Sequence, residues 1–91
     1  MIKILIVDDE KSICDLIDIN LSAAGYHCKT VQDGLEAIDM IEAEDFDLIL
    51  LDIMLPGADG FDIMEYIRPL RIPVIFITAK HEVRDRVKGL K

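Results

Sequence analysis

The chain has 91 residues, a length typical of one domain, and 52% of them are apolar, which excludes an intrinsically disordered chain. No apolar run reaches the ~18 residues that a membrane-spanning helix needs. The 18 acidic residues outnumber the 10 basic ones for a net charge of −8, which argues against direct contact with nucleic acid by this segment. The start lacks the features of a signal peptide, so we expect a cytoplasmic protein.

The first predicted elements are a buried strand and an amphipathic helix. Residues 2–7 are apolar except for Lys3 and rich in β-branched side chains, which predicts a strand buried on both faces. Asp9 lies where a helix N-cap would be, and Gly25 favours a helix end. Between them, apolar side chains recur at helical spacing at Ile13, Leu16, Ile17, Leu21 and Ala24.

The rest of the chain repeats this strand–helix pattern three more times. The residue before Pro69 disfavours helix and so predicts the end of the third helix. The second predicted helix carries one apolar stripe, formed by Leu35, Ala37, Ile38 and Ile41. Further strands are predicted at 27–31, 47–51 and 73–77, and further helices at 34–43, 61–67 and about 82–90.

Four strand–helix repeats predict an α/β fold with an open, doubly wound parallel sheet. Parallel strands need crossover connections, which are almost always right-handed. A closed eight-stranded barrel needs far more chain. An antiparallel α+β sandwich would need hairpin signals, and here each predicted strand is followed by a helix instead.

Acidic and hydroxyl side chains follow the predicted buried strands. Asp8 and Asp9 come directly after the first strand, Asp52 after the third and Thr78 after the fourth. In open α/β sheets, ligands bind beyond the carboxyl ends of the strands. Clustered carboxylates repel one another unless a cation joins them, and Mg²⁺ prefers oxygen ligands. A carboxylate in such a site can also act as a nucleophile and form an aspartyl-phosphate.

Each of these residues has an ordinary interpretation when taken alone. One acid at a strand end is usually a solvated loop residue or a helix cap, and a threonine there is usually a β-former. The metal-site hypothesis depends on their convergence on one edge of the sheet. Cys14 and Cys28 have no metal-ligand spacing and are predicted to be small, partly buried apolar side chains.

Three ordered segments resemble the receiver domain of two-component response regulators. They are ILIVDDE at 4–10, LLDIMLPGADG at 50–60 and IFITAK at 75–80. The resemblance implies a flavodoxin-like sheet with strand order 2-1-3-4, phosphorylation of Asp52 by a sensor histidine kinase, and a switch rather than an enzyme. It also implies Mg²⁺ bound by Asp9, Asp52 and the backbone carbonyl of Met54, with Asp8 acting mainly through water.

The resemblance further implies how a phosphoryl group would be held. Thr78 would be the switch hydroxyl that moves toward the phosphoryl group, and the backbone of Ala79 would contact it. Met54 and Lys80 occupy positions that in the family modulate how long the phosphoryl group lasts. The motif around Pro56 is most like that of receivers attached to winged-helix transcription factors, so we expect transcription regulation through a DNA-binding output domain absent from this chain.

The chain departs from the family pattern at its carboxyl end. The resemblance implies that residues 1–91 are the amino-terminal part of a receiver domain, with no second domain, ending inside the family's fourth helix. Lys80, Lys88 and Lys91 do not match the family's site lysine, which follows a fifth strand. We expect the fourth strand to be an exposed edge and the chain to self-associate, by strand pairing or by exchange of its terminal segment.

Other functions are less well supported by the sequence. A nucleotide-binding α/β domain would need a glycine-rich loop or a P-loop lysine motif, and neither follows the first strand. A phosphohydrolase with an aspartate nucleophile would need a D-x-D arrangement, which Asp8-Asp9-Glu10 does not supply. A receiver that is never phosphorylated and serves only as a docking or oligomerisation module remains the alternative.

Overall fold

A parallel four-stranded sheet forms the centre of the computed structural model, which describes residues 1–52 and 60–77. The strand order is β2-β1-β3-β4, and every pairing is parallel, so the predicted fold class and order are confirmed. Three strands begin one residue later than predicted. The strands are β1 (Lys3–Val7), β2 (His27–Val31), β3 (Leu48–Leu51) and β4 (Val74–Phe76).

Helices connect these strands, as predicted. They are α1 (Lys11–Ala23), α2 (Gly34–Ala43) and α3 (Gly60–Ile67), and α3 continues into a 3-10 turn at Arg68–Leu70. Asp33 caps α2, because its side chain accepts a 2.8 Å hydrogen bond from the Glu36 amide. The predicted N-cap Asp9 is wrong: Glu10 holds that position in α1 and makes no side-chain cap. The predicted helix at 82–90 lies outside the described residues.

The two faces of the sheet carry separate apolar clusters, because successive side chains on a strand point to opposite faces. The α2/α3 face is built around Leu5, Val7, Ile49 and Leu51, and Ala37, Ile41, Ile63 and Ile67 of the helices pack on it. The α1 face is built around Ile4, Ile6 and Cys14, with Ile17, Leu21, Cys28, Leu48 and Leu50 partly buried against them. Helices therefore cover both faces, which makes the sheet doubly wound.

The amino-terminal ends of β1 and β3 are joined around Lys3. The Lys3 amide donates to Asp47 Oδ2 at 2.8 Å, and the Asp47 amide donates to the Lys3 carbonyl at 2.8 Å. The Lys3 ammonium pairs with Glu44 and lies 5.2 Å from the centre of the Phe46 ring. These contacts fix the strand register at the edge of the sheet opposite the acidic residues.

Some apolar residues of the predicted helical stripes are exposed. Leu16 of α1 is 61% exposed and Leu35 of α2 is 60% exposed, whereas Cys14 is completely buried. The α1 stripe that meets the sheet therefore runs through Cys14, Ile17 and Leu21, of which Ile17 and Leu21 belong to the predicted stripe. Within residues 1–52 and 60–77, none of the helices has the length and apolar character needed to cross a bilayer.

Candidate functional site

The carboxyl ends of β1 and β3 lie level with each other. Val7 of β1 pairs with Leu51 of β3, so the residues that follow them, Asp8 and Asp52, are neighbours. The Asp52 amide donates to the Val7 carbonyl at 2.9 Å, and the Asp8 amide donates to the Val31 carbonyl at 3.2 Å. The ladder hydrogen bonds therefore continue through both aspartates and hold their backbones in place.

Three carboxylates meet at this edge of the sheet. Asp8, Asp9 and Asp52 each offer an oxygen within 4.8 Å of the others. Asp8 is 3% exposed and Asp52 is fully buried, while Asp9 is exposed. The carboxylates of Asp8 and Asp52 are thus removed from bulk water. Their mutual repulsion is therefore screened less than it would be at the protein surface.

The turn from β1 into α1 orients Asp8. Its Oδ1 accepts a 2.9 Å hydrogen bond from the Glu10 amide, one of the amides near the start of α1 that has no partner within the helix. This bond restricts the Asp8 side chain to one direction. The sequence-based assignment of a cap to Asp9 missed this role of its neighbour.

Cys14 contacts the backbone of Asp8. Its Sγ is 3.4 Å from the Asp8 carbonyl oxygen and 3.8 Å from the Val31 carbonyl oxygen, within reach of a thiol hydrogen bond. Burial raises the pKa of the Cys14 thiol, so the group stays protonated and can donate at neutral pH. Sequence reasoning treated Cys14 only as an apolar filler, and the available signal was its helical spacing with Ile17 and Leu21.

The donor set of the site fits a hard divalent cation. All three side chains offer carboxylate oxygens, the ligands that Mg²⁺ prefers, and Mg²⁺ needs only one or two of them directly. At 4.8 Å and an effective dielectric constant of ~20, two carboxylate charges repel each other by about 3.5 kcal/mol. A bound cation would offset that repulsion, so these residues suit Mg²⁺ in both chemistry and charge.

The structure brings together three of the residues predicted for the site and does not describe the others. Asp8, Asp9 and Asp52 converge as predicted. Ile77 donates its amide to the Leu51 carbonyl at 2.8 Å and so lies level with Asp52. The remaining predicted residues lie outside the described part of the chain: Met54, Thr78, Ala79 and Lys80.

Solved structures similar to this one are receiver domains and response regulators. The chemotaxis response regulator CheY4 of Vibrio cholerae is 32% identical with a TM-score of 0.80, over 84% of this chain and 67% of that chain. The receiver domain of the Francisella response regulator 1452 is 29% identical with a TM-score of 0.82, over 99% of this chain and 76% of that chain. A complex of the histidine kinase ThkA with the response regulator TrrA matches at 36% identity and a TM-score of 0.80, over 87% of this chain and 70% of that chain.

A family comparison agrees with these structural similarities. Residues 4–91 match the response regulator receiver domain family, a span that includes the whole sheet from Ile4 onward and all three site aspartates. The strand order and the acidic cluster are those that the sequence motifs predicted. The chain therefore belongs to the receiver domain family of two-component response regulators.

Proposed function

We propose that the chain accepts a phosphoryl group on Asp52 from a histidine kinase, in a reaction that depends on Mg²⁺. The observation that carries this proposal is the fully buried Asp52 carboxylate, with oxygens of Asp8 and Asp9 within 4.8 Å. Burial keeps water from competing as the nucleophile and strengthens every electrostatic interaction in the site. A buried acid at this position would otherwise only destabilise the fold.

The reaction is a transfer between two protein side chains. A carboxylate oxygen of Asp52 attacks the phosphorus of a phosphohistidine, the phosphorus–nitrogen bond breaks, and its electron pair returns to the imidazole ring. Asp52 is held for this role through its backbone, since its amide donates to Val7 at 2.9 Å. The product is an acyl phosphate on Asp52 and a free histidine on the kinase.

Asp8 and Asp9 would hold the cation beside the acceptor. When bound, Mg²⁺ supplies positive charge that offsets the repulsion between the carboxylates and the incoming phosphoryl oxygens. Asp8 is suited to this role because the Glu10 amide fixes its direction. The proposed contributions of Met54, Thr78 and Ala79 come from the family resemblance alone.

The proposed partners of the chain are a histidine kinase and a DNA-binding output domain. The kinase partner is supported by the match to a response regulator solved in complex with a histidine kinase. We expect a cytoplasmic switch that regulates transcription through a DNA-binding domain, rather than an enzyme that turns over a free substrate. The net charge of −8 supports contact with proteins rather than with DNA by this segment itself.

Labelling with acetyl phosphate tests the acceptor directly. We expect intact-mass spectrometry to show one added phosphoryl group in the presence of Mg²⁺ and none when the metal is chelated. Asp52→Asn should abolish the label, and Asp45→Asn, which removes an exposed acid near the start of β3, should leave it unchanged. A label of equal extent in Asp52→Asn would place the acceptor elsewhere and overturn the proposal.

Self-association is a second proposed property, favoured by the edge strand β4. Among the described strands, β4 is paired only with β3, and Ile75 on it is 53% exposed. An uncharged edge strand can pair with a second copy. Light scattering after size exclusion should show dimers that Ile75→Lys weakens and Leu35→Lys, at a similarly exposed site on α2, does not. A monomer at high protein concentration would contradict this property without affecting the labelling result.

A further inference from the structure

Cys14 joins three elements beneath the acidic cluster. It belongs to α1, and its Sγ lies 3.4 Å from the carbonyl oxygen of Asp8, after β1, and 3.8 Å from that of Val31, at the end of β2. The side chain is fully buried. A thiol has one hydrogen to donate, so the shorter contact with Asp8 is the stronger candidate and the Val31 carbonyl is a secondary acceptor.

These two carbonyls belong to the backbone interactions on either side of Asp8. The Val31 carbonyl accepts the Asp8 amide at 3.2 Å, and the Asp8 carbonyl begins the peptide that leads to Asp9. A thiol placed between the two carbonyls therefore limits rotation of the Asp8 backbone. The Glu10 amide limits the Asp8 side chain from the other end, through its 2.9 Å bond to Oδ1.

We propose that Cys14 is a positioning residue for the metal site, because its thiol holds the Asp8 backbone in the orientation that directs the Asp8 carboxylate toward Asp9 and Asp52. The inference rests on the proposed binding of Mg²⁺ by these three aspartates. Mg²⁺ requires near-ideal octahedral geometry, so a small rotation of Asp8 weakens binding even when every ligand is still present. Loss of a hydrogen bond made directly by a metal ligand commonly lowers metal affinity by about 10- to 100-fold, and Cys14, which acts through the Asp8 backbone, should lie at the lower end of that range.

A purely apolar role for Cys14 predicts a different pattern. In that case volume matters and the hydrogen bond does not, because Cys14 also packs against Ile4 and Ile6. Cys14→Val keeps side-chain bulk without a donor, Cys14→Ala loses both, and Cys14→Ser keeps a donor. Cys28→Ala is the matched control, since Cys28 packs against the same cluster but pairs with Ile4, far from Asp8 along the strand.

The first experiment is a calorimetric titration of the 91-residue chain with MgCl₂, after circular dichroism has confirmed that each variant is folded. We expect Cys14→Ser and Cys28→Ala to bind Mg²⁺ like the unmodified chain, and Cys14→Val and Cys14→Ala to bind it about 10-fold more weakly. Equal binding by all variants would overturn the positioning role. So would equal weakening by Ser, Val and Ala, which would assign the effect to shape.

The second experiment needs no metal and separates this inference from the proposed function. The Glu10 amide reports on the Asp8 carboxylate through their 2.9 Å hydrogen bond. Its hydrogen exchange, followed by NMR in the metal-free chain, should be faster in Cys14→Val than in Cys14→Ser or Cys28→Ala. Unchanged exchange in Cys14→Val would overturn the inference, whereas failure of the unmodified chain to bind Mg²⁺ would overturn the metal site itself.

Discussion

Replacing Asp52 with asparagine should stabilise the metal-free protein, although the residue is fully buried. The substitution nearly preserves shape and removes one of two buried charges whose oxygens lie within 4.8 Å of each other. At that distance the repulsion is about 3.5 kcal/mol for an effective dielectric constant of ~20 and about 0.9 kcal/mol in bulk water. We therefore expect the free energy of unfolding to rise by roughly 1 to 3 kcal/mol without Mg²⁺.

Mg²⁺ should stabilise the unmodified chain more than Asp52→Asn and so reduce this difference in stability. A ligand at about 100 times its Kd stabilises the folded state by about 2.7 kcal/mol, and only the unmodified chain retains the complete site. Urea unfolding followed by circular dichroism, with chelator and then with Mg²⁺, measures both states. Asp45→Asn controls for overall charge, since each variant changes the net charge from −8 to −7 by the loss of one acid.

Two results would refute this reasoning about the cluster. If metal-free Asp52→Asn is less stable than the unmodified chain, the buried carboxylate is not electrostatically strained in the way that its distance to Asp8 indicates. If Mg²⁺ stabilises both proteins equally, Asp52 does not contribute to binding the cation.

Three further substitutions test contacts elsewhere in the fold. The hydrogen bond from Lys3 lowers the pKa of Glu44 in the folded protein. The stability that this contact contributes is complete above the unfolded pKa of the carboxyl group and is lost as pH falls through the lower folded pKa. When unfolding is measured at decreasing pH, Glu44→Gln should therefore lose less stability than the unmodified chain. Asp33→Ala removes the α2 N-cap and should cost about 1 kcal/mol in urea unfolding. Ile63→Ala, at a fully buried position, should cost about 2 to 5 kcal/mol, whereas Leu35→Ala, at an exposed one, should stay within about 0.5 kcal/mol in the same assay.

The sheet and its acidic edge could be predicted because buried parallel strands leave a strong signal. Residues 2–7 and 47–51 are nearly continuous apolar runs, which is what a strand covered on both faces requires. Each run ends in aspartate, and parallel strands bring such ends to one edge. The strand order came from the family resemblance rather than from periodicity, and the pairing confirms it.

The details of helix orientation and of the local hydrogen bonds could not be predicted in the same way. Helical spacing marks an apolar stripe but not which part of it meets the sheet, and Leu16, a member of the predicted stripe, is largely exposed. Whether Asp8 or Asp9 serves the start of α1 depends on the backbone turn between them. The contact of Cys14 with Val31 depends on the rotation of α1 about its axis as well as on the adjacency of β1 and β2, and helical spacing does not give that rotation.

The two ends of β1 have different electrostatic surroundings, an ion pair at one end and a cluster of carboxylates at the other. Lys3 at one end pairs with Glu44, and Asp8 follows the other end, about 17 Å away at ~3.3 Å per residue. At an effective dielectric constant of ~20, two unit charges that far apart interact by only about 1 kcal/mol. The Lys3–Glu44 contact can therefore be altered with little electrostatic effect on the acidic cluster, whose own carboxylates repel one another about three times more strongly.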